Sequence, residues 1–260
     1  MAYTESNIAG AIESMLADAG WPPEVTPRQL GPLDQFHAGG LEATDRLISG
    51  LRVGPGSRVL DAGSGLGGVA RRIAETTGAT VVGIDLTPGY VDAARALTRR
   101  CGLDHLVTFA VGDVADPVPG ADFDAAVSVH VQMNVDDKVG FFAAVHDGLR
   151  SDGRFAIWDV CRTGHDELPW PMPWSLDGTD SHLVSPVELR GAVTTAGFAI
   201  RKWSDETAWV NQWFATSTER RRPTGPTLSR ILDDGVVRIL NFAGEIGKGT
   251  LAVVRGVMTA

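Results

Sequence analysis

Arg58-Val59-Leu60-Asp61-Ala62-Gly63-Ser64-Gly65-Leu66-Gly67-Gly68 is the stretch on which the reading of this chain turns. Val59 and Leu60 predict a short buried strand, the glycines a turn, and Gly68 the start of a helix. A glycine permits φ > 0 and has no Cβ to hold a ligand off the backbone, so Gly63, Gly65 and Gly67 mark a place where a ligand lies against the main chain. The amides that open the next helix favour negative charge there. The spacing is G-x-G-x-G. The dinucleotide fingerprint is G-x-G-x-x-G, although Gly68 nearly supplies its last glycine. Asp61, on the strand just before the turn, is a second departure. An acid sits badly beside a pyrophosphate and well beside an ammonium group.

The next β-branched run, Ala79-Thr80-Val81-Val82-Gly83-Ile84, ends at Asp85. Asp85 follows Gly67 at close to the roughly 20-residue spacing at which an acid on a second strand reaches a ribose hydroxyl pair. Thr87 then reads as an N-cap and Pro88 as the first helical residue. A ligand with an amino acid at one end and a nucleoside at the other fits both acids, and S-adenosylmethionine is such a ligand. The plain alternatives are glycines that serve packing and an Asp85 that caps a turn.

The chain has 260 residues, 43% of them hydrophobic, enough for one domain with a cap and a sizeable core. A net charge of −9 argues against a nucleic-acid partner. Cys101 and Cys161 have neither metal-ligand spacing nor framework partners and read as reduced thiols of a cytoplasmic protein. Met1 to Gly20 carries Glu5, Glu13 and Asp18 without a basic n-region, which is not the pattern of a signal peptide. No apolar run approaches the ~20 residues of a membrane span. Neither a membrane nor a metal is expected, and a homo-oligomer is left open.

Taken in order, residues 4–19 carry a helical apolar stripe (Ile8, Ile12, Met15, Leu16, Ala19), which Gly20, Pro22, Pro23 and Pro27 end. Gly39-Gly40 points to a close backbone approach before a helix at about 41–51. Strands are expected at 58–62, 80–84, 107–111, 124–129 and 154–160, with helices near 68–77, 88–100 and 136–149. This alternation predicts a doubly wound α/β fold with a mostly parallel sheet and right-handed crossovers. A helix at 186–196, a strand at 199–204, a helical stretch from about 209 to 245 and an antiparallel last strand at 250–259 complete it. The expected organisation is an N-terminal helical cap (1–50), an α/β core (51–160), a lid insertion (161–184) and a C-terminal part with the acceptor-side helical segment (185–260).

In such sheets ligands bind beyond the carboxyl ends of the strands. Asp61, Asp85, Asp113, His130 and Asp159 all fall at such ends. Asp113 can accept from an adenine amino group beside an apolar Val114, or it is a turn aspartate. His130 is either structural or part of the site. The run His165 to Trp174, rich in proline and tryptophan, interrupts the alternation and reads as a lid. Its Trp170 and Trp174 either wall a pocket or cover core. Arg220-Arg221-Arg222 reads as a solvated face or as a clamp for an anionic substrate.

These pieces resemble the class I S-adenosylmethionine-dependent methyltransferases. Leu60 to Gly68 matches the family's first motif, Asp85 its ribose acid and Asp113 its adenine-side acid. Leu149-Arg150-Ser151-Asp152-Gly153-Arg154 is similar to its "LrpGG" turn with the second glycine missing. Leu33-Asp34-Gln35-Phe36-His37-Ala38-Gly39-Gly40, His130 to Asn134, Pro171-Met172-Pro173-Trp174 and Ser181-His182-Leu183-Val184 resemble the glycine, sarcosine and dimethylglycine N-methyltransferases and their small-molecule relatives. The resemblance implies S-adenosylmethionine as cofactor, held by Gln35, His37, Asp61, Gly63, Gly65, Gly67, Asp85, Leu86, Asp113, Val114 and His130. It implies a small-molecule acceptor, with an amine slightly favoured, near Met133, Trp170, Trp174 and His182. An O- or C-methyltransferase of a secondary metabolite is the alternative. A hydroxyl acceptor would benefit from a general base, with His37, His130 and His182 as candidates in no order. A NAD-dependent dehydrogenase is disfavoured by Asp61 and the turn spacing. A cofactor-binding protein without catalysis is the remaining class.

Overall fold

A computed structural model describes residues 8–116, 121–220 and 226–260. Seven strands form one sheet: β1 (Arg58–Ala62), β2 (Thr80–Asp85), β3 (Val107–Val111), β4 (Phe123–Val129), β5 (Leu149–Arg162), β6 (Ala199–Asp205) and β7 (Leu251–Thr259). Their order is β3-β2-β1-β4-β5-β7-β6, parallel except for β7, which runs antiparallel to both β5 and β6. The order reverses between β1 and β4, so the crevice at their carboxyl ends is the topological switch point.

The inner strands alternate their side chains between two cores. Val59, Val81, Ala125, Val127 and Trp158 face one core, which α4 (Gly68–Thr77) and α5 (Pro88–Arg100) cover with Ile73, Ala74, Val91 and Ala94. Leu60, Ala62, Ala126, Phe155 and Ile157 face the other, covered by Phe141, Phe142 and Val145 of α6 (Lys138–Gly148) and Leu189 and Val193 of α7 (Pro186–Thr195). A third cluster joins α1 (Ile8–Asp18) and α2 (Pro27–Asp34) to α5 through Ile12, Leu16, Leu30, Leu33, Tyr90 and Leu97. Among the described residues no helix is long and apolar enough to cross a membrane.

Several details depart from the sequence reading. Pro27 does not merely end α1. It opens α2, because Thr26 accepts from the Gln29 amide at 3.2 Å and Gln29 Oε1 accepts from the Thr26 amide at 2.8 Å. This capping box with proline in the first turn stabilises a short helix that apolar periodicity alone does not reveal. The expected helical stretch at 209–245 is two helices, α8 (Thr207–Arg220) and α9 (Gly235–Lys248), with a 3₁₀ turn at Leu228–Arg230 between. Pro223 and Pro226 lack the amide that a continuous helix needs. The arginine run falls on Arg221 and Arg222, outside the described residues, and on the Arg220 side chain, likewise outside them. β5 starts earlier than expected: Leu149 pairs with Phe123 and Arg154 with Ala125, so residues 150–153 bulge out. Asp152 takes φ 65 in that bulge, where the resembling turn has its glycine pair. Thr87 stands at the N-cap of α5 but its side chain makes no capping hydrogen bond. Gly39 and Gly40 are next to α3 (Gly40–Ile48). A Cβ on Gly39 would stand 2.7 Å from Trp209, and one on Gly40 3.4 Å from Trp213, so the close approach is to α8.

The N-terminal cap is locked to the core by one guanidinium. Arg71 on α4 is fully buried, and its Nη2 donates to Asp34 Oδ2 at 2.7 Å and to the Leu66 carbonyl at 2.6 Å. Its Nη1 donates to the Ala94 carbonyl and to Thr98 Oγ1 of α5. Arg71→Met should strand the Asp34 charge in the interior and cost roughly 3–5 kcal/mol. The double variant Arg71→Met/Asp34→Leu should recover much of that loss. Urea unfolding of the two variants checks this; equal losses in both would mean the pair is not what locks the cap.

Candidate active site

The glycine turn is shaped by three different neighbours. A Cβ on Gly63 would lie 2.4 Å from the Val131 side chain, and one on Gly67 2.5 Å from the Phe109 ring. Only at Gly65 would a Cβ meet open space, although its φ of 52 still disfavours one. Gly63 and Gly67 are therefore fixed by the protein's own packing, and Gly65 is the glycine that keeps backbone open to a ligand. Gly68 has a comparable constraint: a Cβ there would lie 2.6 Å from the Asp34 carbonyl. The α2–α3 connection thus sits directly on the start of α4.

Two acids meet beside this turn. Asp85 is held by backbone donors, with Oδ2 accepting from the Gly65 amide at 2.8 Å and Oδ1 from the Thr87 amide at 2.9 Å. A carboxylate has about four acceptor sites, so both oxygens retain capacity for hydroxyl donors. Asp61, 2% exposed, has no hydrogen-bond partner on Oδ2. Burial, and secondly the nearby Asp85, push its carboxyl up to about 7. A buried carboxyl oxygen without a donor is unstable in its ionised form. It fits a cationic ligand, and the ammonium of an amino acid supplies both charge and donors. Leu86 and Val111, 53% and 50% exposed, leave apolar surface at the ends of β2 and β3. Beyond them, Asp113 accepts from the Ala115 amide at 2.9 Å in a turn, while Val114 is buried.

The opposite side is built from histidines and aromatics. His130 leaves β4 with φ 54, in the left-handed region that a non-glycine residue rarely adopts. The bend is secured by its own amide, which donates to the Trp158 carbonyl at 2.9 Å. Its ring lies 5.9 Å from His37 and 5.9 Å from Phe242 of α9, both edge-on. Its Nε2 is buried without a partner. Burial, with His37 adding repulsion, lowers its pKa well below the usual value, so the ring is neutral at pH 7. His37 Nε2 contacts the Gly40 carbonyl at 3.0 Å and Thr44 Oγ1 at 3.1 Å. A carbonyl only accepts, so Nε2 carries the proton and Nδ1 the lone pair. Burial lowers the His37 pKa to about 4. Thr44 in turn donates to Gln35 Oε1 at 2.7 Å, which ties Gln35 to this histidine.

The lid residues divide. Trp174 is 2% exposed, donates through Nε1 to Ser181 Oγ at 2.9 Å and packs edge-on to Phe242 at 5.7 Å. It thus stands behind the ring that meets His130. Trp170 is half-buried and closes over Gly178. Met133 is buried, and its carbonyl accepts from the His182 amide at 2.7 Å. The His182 ring turns instead to the exposed Asp136, at 3.4 Å, while His37 and His130 pair with each other. Lys138 bridges the two segments, Nζ donating to the carbonyls of Val135 and His182. Asp159, expected at a strand end, is buried inside β5, which runs on to Arg162; it accepts from the amides of Val131, Gln132 and Val160 and so fixes the loop after His130. Sequence reasoning missed Phe242, which lay inside a stretch expected only to be helical. It also missed Lys138 and Arg71, whose roles depend on partners distant in sequence.

Asp61 generates a stability test. Its folded-state pKa lies above the unfolded value of 3.8, so the folded protein binds the extra proton and ligand-free stability falls as pH rises through about 4 to 7. Asp61→Asn removes that loss. At pH 8 the ligand-free variant should melt above the wild type, by about 2–4 °C for each kcal/mol regained, and the gap should close toward pH 4. Thermal unfolding across pH checks this; a variant less stable at pH 8 would mean that Asp61 is satisfied in the ligand-free protein.

Comparison with known proteins agrees with this geometry. Residues 60–157 match the family model described as "Methyltransferase domain". The chain is 35% identical over 126 residues to phosphoethanolamine N-methyltransferase 1 of Arabidopsis thaliana, covering 48% of this chain and 25% of that one. It is 33% identical over 146 residues to methyltransferase GfsG of Streptomyces halstedii, covering 55% and 50%. The chain thus spans a quarter to a half of the length of these relatives. Phosphoethanolamine N-methyltransferase 2 of Haemonchus contortus, solved in complex with S-adenosyl-L-methionine, superposes with a TM-score of 0.72 at 18% identity, covering 95% of this chain and 59% of that one. Residues 60–157 are thus similar to a methyltransferase domain, and the chain has the class I S-adenosylmethionine-dependent methyltransferase fold.

Proposed function

We propose that this protein is an S-adenosylmethionine-dependent methyltransferase of a small-molecule acceptor, with an amine nitrogen slightly favoured. The observation that carries the reading is the donor-less buried oxygen of Asp61 beside an open Gly65. Those residues fit an amino-acid cation lying along the turn. Asp61 would hold the ammonium, Asp85 the ribose hydroxyls, and Leu86, Val111, Asp113 and Val114 the base. When bound, the cofactor supplies an electrophilic methyl group on its sulfonium. The chain's own residues then orient the acceptor and keep water out. The N-terminal cap, through Gln35 and His37, and the lid, through Met172 and Trp174, close over the carboxyl ends of β1 and β4. Proximity and orientation of this kind are worth up to ~7–11 kcal/mol.

An amine has to be neutral to attack, and a dry site with two neutral histidines favours that form. The lone pair on His37 Nδ1 and the unpartnered Nε2 of His130 also favour a second reading, an O-methyltransferase in which one of them takes a hydroxyl proton. The pH profile separates these: an amine acceptor follows its own deprotonation, and His130→Ala is then partly tolerated. For a hydroxyl acceptor the same variant should lower kcat by about 10²–10⁴-fold. Cys101 and Cys161 are both free thiols, which supports a cytoplasmic location.

The primary test is titration calorimetry with S-adenosylhomocysteine and NAD. S-adenosylhomocysteine should bind and NAD should not; the reverse would overturn the proposal. Asp61 adds a pH signature. Its carboxyl is mostly protonated below about 7 and has to ionise to meet an ammonium. Affinity for S-adenosylhomocysteine should therefore fall by up to about tenfold per pH unit below 7 and level off above it. Asp61→Asn should bind more weakly at pH 8 and lose the slope.

A further inference from the structure

Arg238 of α9 is 1% exposed. Its guanidinium makes one contact, a hydrogen bond from Nη1 to the Pro173 carbonyl at 3.5 Å, at the long edge of the range, and its Nε has no partner. Among the described residues no carboxylate pairs with it. The Nε atoms of Arg71 and Arg255 also lack partners, but both of those guanidiniums pair with a carboxylate, Arg71 with Asp34 at 2.7 Å and Arg255 with Glu206 at 2.8 Å. Burying an unpaired charge is costly, and arginine cannot escape the cost by losing its proton. A chain that places a lone guanidinium in its interior has a use for an anion there.

The position says which anion. Arg238 lies one helical turn before Phe242, on the same buried face of α9. Phe242 meets His130 at 5.9 Å, Trp174 at 5.7 Å and Phe214 at 5.7 Å. The lid crosses this face, with the Pro173 carbonyl on Arg238 and the Pro171 carbonyl on Asn241 Nδ2 at 3.0 Å. The guanidinium therefore shares its helix face, and its contact with residues 171–174, with the ring that meets His130.

We infer that Arg238 is a specificity-determining residue that binds an oxyanion, carboxylate or phosphate, carried by the methyl acceptor. The proposal rests on the methyltransferase reading above and names the acceptor's class: a small molecule with a methylatable group at one end and an oxyanion at the other. The planar fork of the guanidinium suits either anion in bidentate fashion. Its burial excludes water, which strengthens the attraction. An uncharged acceptor would leave this charge stranded and would be rejected for that reason.

The test uses the full chain saturated with S-adenosylhomocysteine. Inorganic phosphate, acetate and phosphoethanolamine are titrated while the arginine Nε–Hε resonances are followed by NMR, and thermal unfolding is recorded in parallel. In the wild type at least one of these anions should shift the Arg238 resonance saturably and raise the melting temperature, whereas ethanolamine should do neither. Arg238→Met should weaken anion binding at least about tenfold, the loss of one charge-assisted hydrogen bond. It should melt at or above the anion-free wild type, because no ion pair is broken. Arg238→Lys should retain part of the binding. S-adenosylhomocysteine affinity should be the same in all three. If no anion binds the wild type while S-adenosylhomocysteine does, the inference fails and the methyltransferase reading stands. A tenfold loss of S-adenosylhomocysteine affinity in Arg238→Met would also overturn it, by placing the guanidinium on the cofactor's carboxylate. Should S-adenosylhomocysteine not bind at all, the methyltransferase reading falls. The same anion titration of the ligand-free protein then still decides whether Arg238 holds an oxyanion.

Discussion

The rest of the structure depends on the burial of the Arg71–Asp34 ion pair. Taking both charges out of water is expensive, and the return comes from geometry: Arg71 also donates to Leu66, Ala94 and Thr98. Those partners belong to the glycine turn and to α5, while Asp34 ends α2. One side chain thus fixes the turn, the helix after the second strand and the cap against each other. Exchange for an apolar side chain could match its stability, but it would not dictate where the Leu66 carbonyl points. The ion pair sets position, and the residues it positions are the neighbours Gln35 and His37 on one side and Gly65 and Gly67 on the other.

The site built on that anchor has two chemically opposed sides. Toward β1 and β2 it is acidic, with Asp61 raised to about 7 by burial and by Asp85. Toward α9 and residues 170–174 it is aromatic, with the neutral imidazoles of His37 and His130 meeting Phe242 and Trp174 and one guanidinium, Arg238, on the same face of α9. The acids stay apart from the histidines in effect as well as in place. The pKa of His130 is lowered by burial and by His37, with no carboxylate opposing the change. A cation would be held at one side, and a neutral nucleophile is kept neutral at the other.

Much of the fold was legible because its strands obey local rules. β3, α4 and α5 have the expected bounds, since β-branched runs, a glycine turn and a threonine–proline start are signals within a few residues. α2 was legible in principle, through Thr26, Pro27 and Gln29, but its capping box is hidden behind prolines that also end α1. The break between α8 and α9 was likewise written in Pro223 and Pro226. Strand-end acids could be located because topology alone puts them at the crevice. What could not be read was pairing. Nothing in the sequence around Arg71 distinguishes it from Arg72, which reaches Asp45 and Glu75 at the surface. Nothing near Phe242 says that it will meet His130. The reasons given for the glycines were only partly right for the same cause: Gly63 and Gly67 answer to Val131 and Phe109, which are remote in sequence.

The backbone at His130 shows how the two sides are kept in register. A left-handed residue at the end of β4 costs energy of order 1–3 kcal/mol and persists only where its surroundings over-determine it. Here three constraints do so. The His130 amide is taken by the Trp158 carbonyl, the following amides of Val131 and Gln132 by Asp159, and the Gln132 side chain by the Val160 carbonyl. The turn they impose brings the Val131 methyls down onto Gly63 and sets the imidazole between His37 and Phe242. The same few residues thus close the glycine turn from above and aim the histidine at the cap and at α9. A shift of β5 relative to β4 would disturb the glycine turn and the aromatic side together. That coupling explains why a bend placed at a strained position is tolerated: the strain fixes the relation between two half-sites that no single element carries.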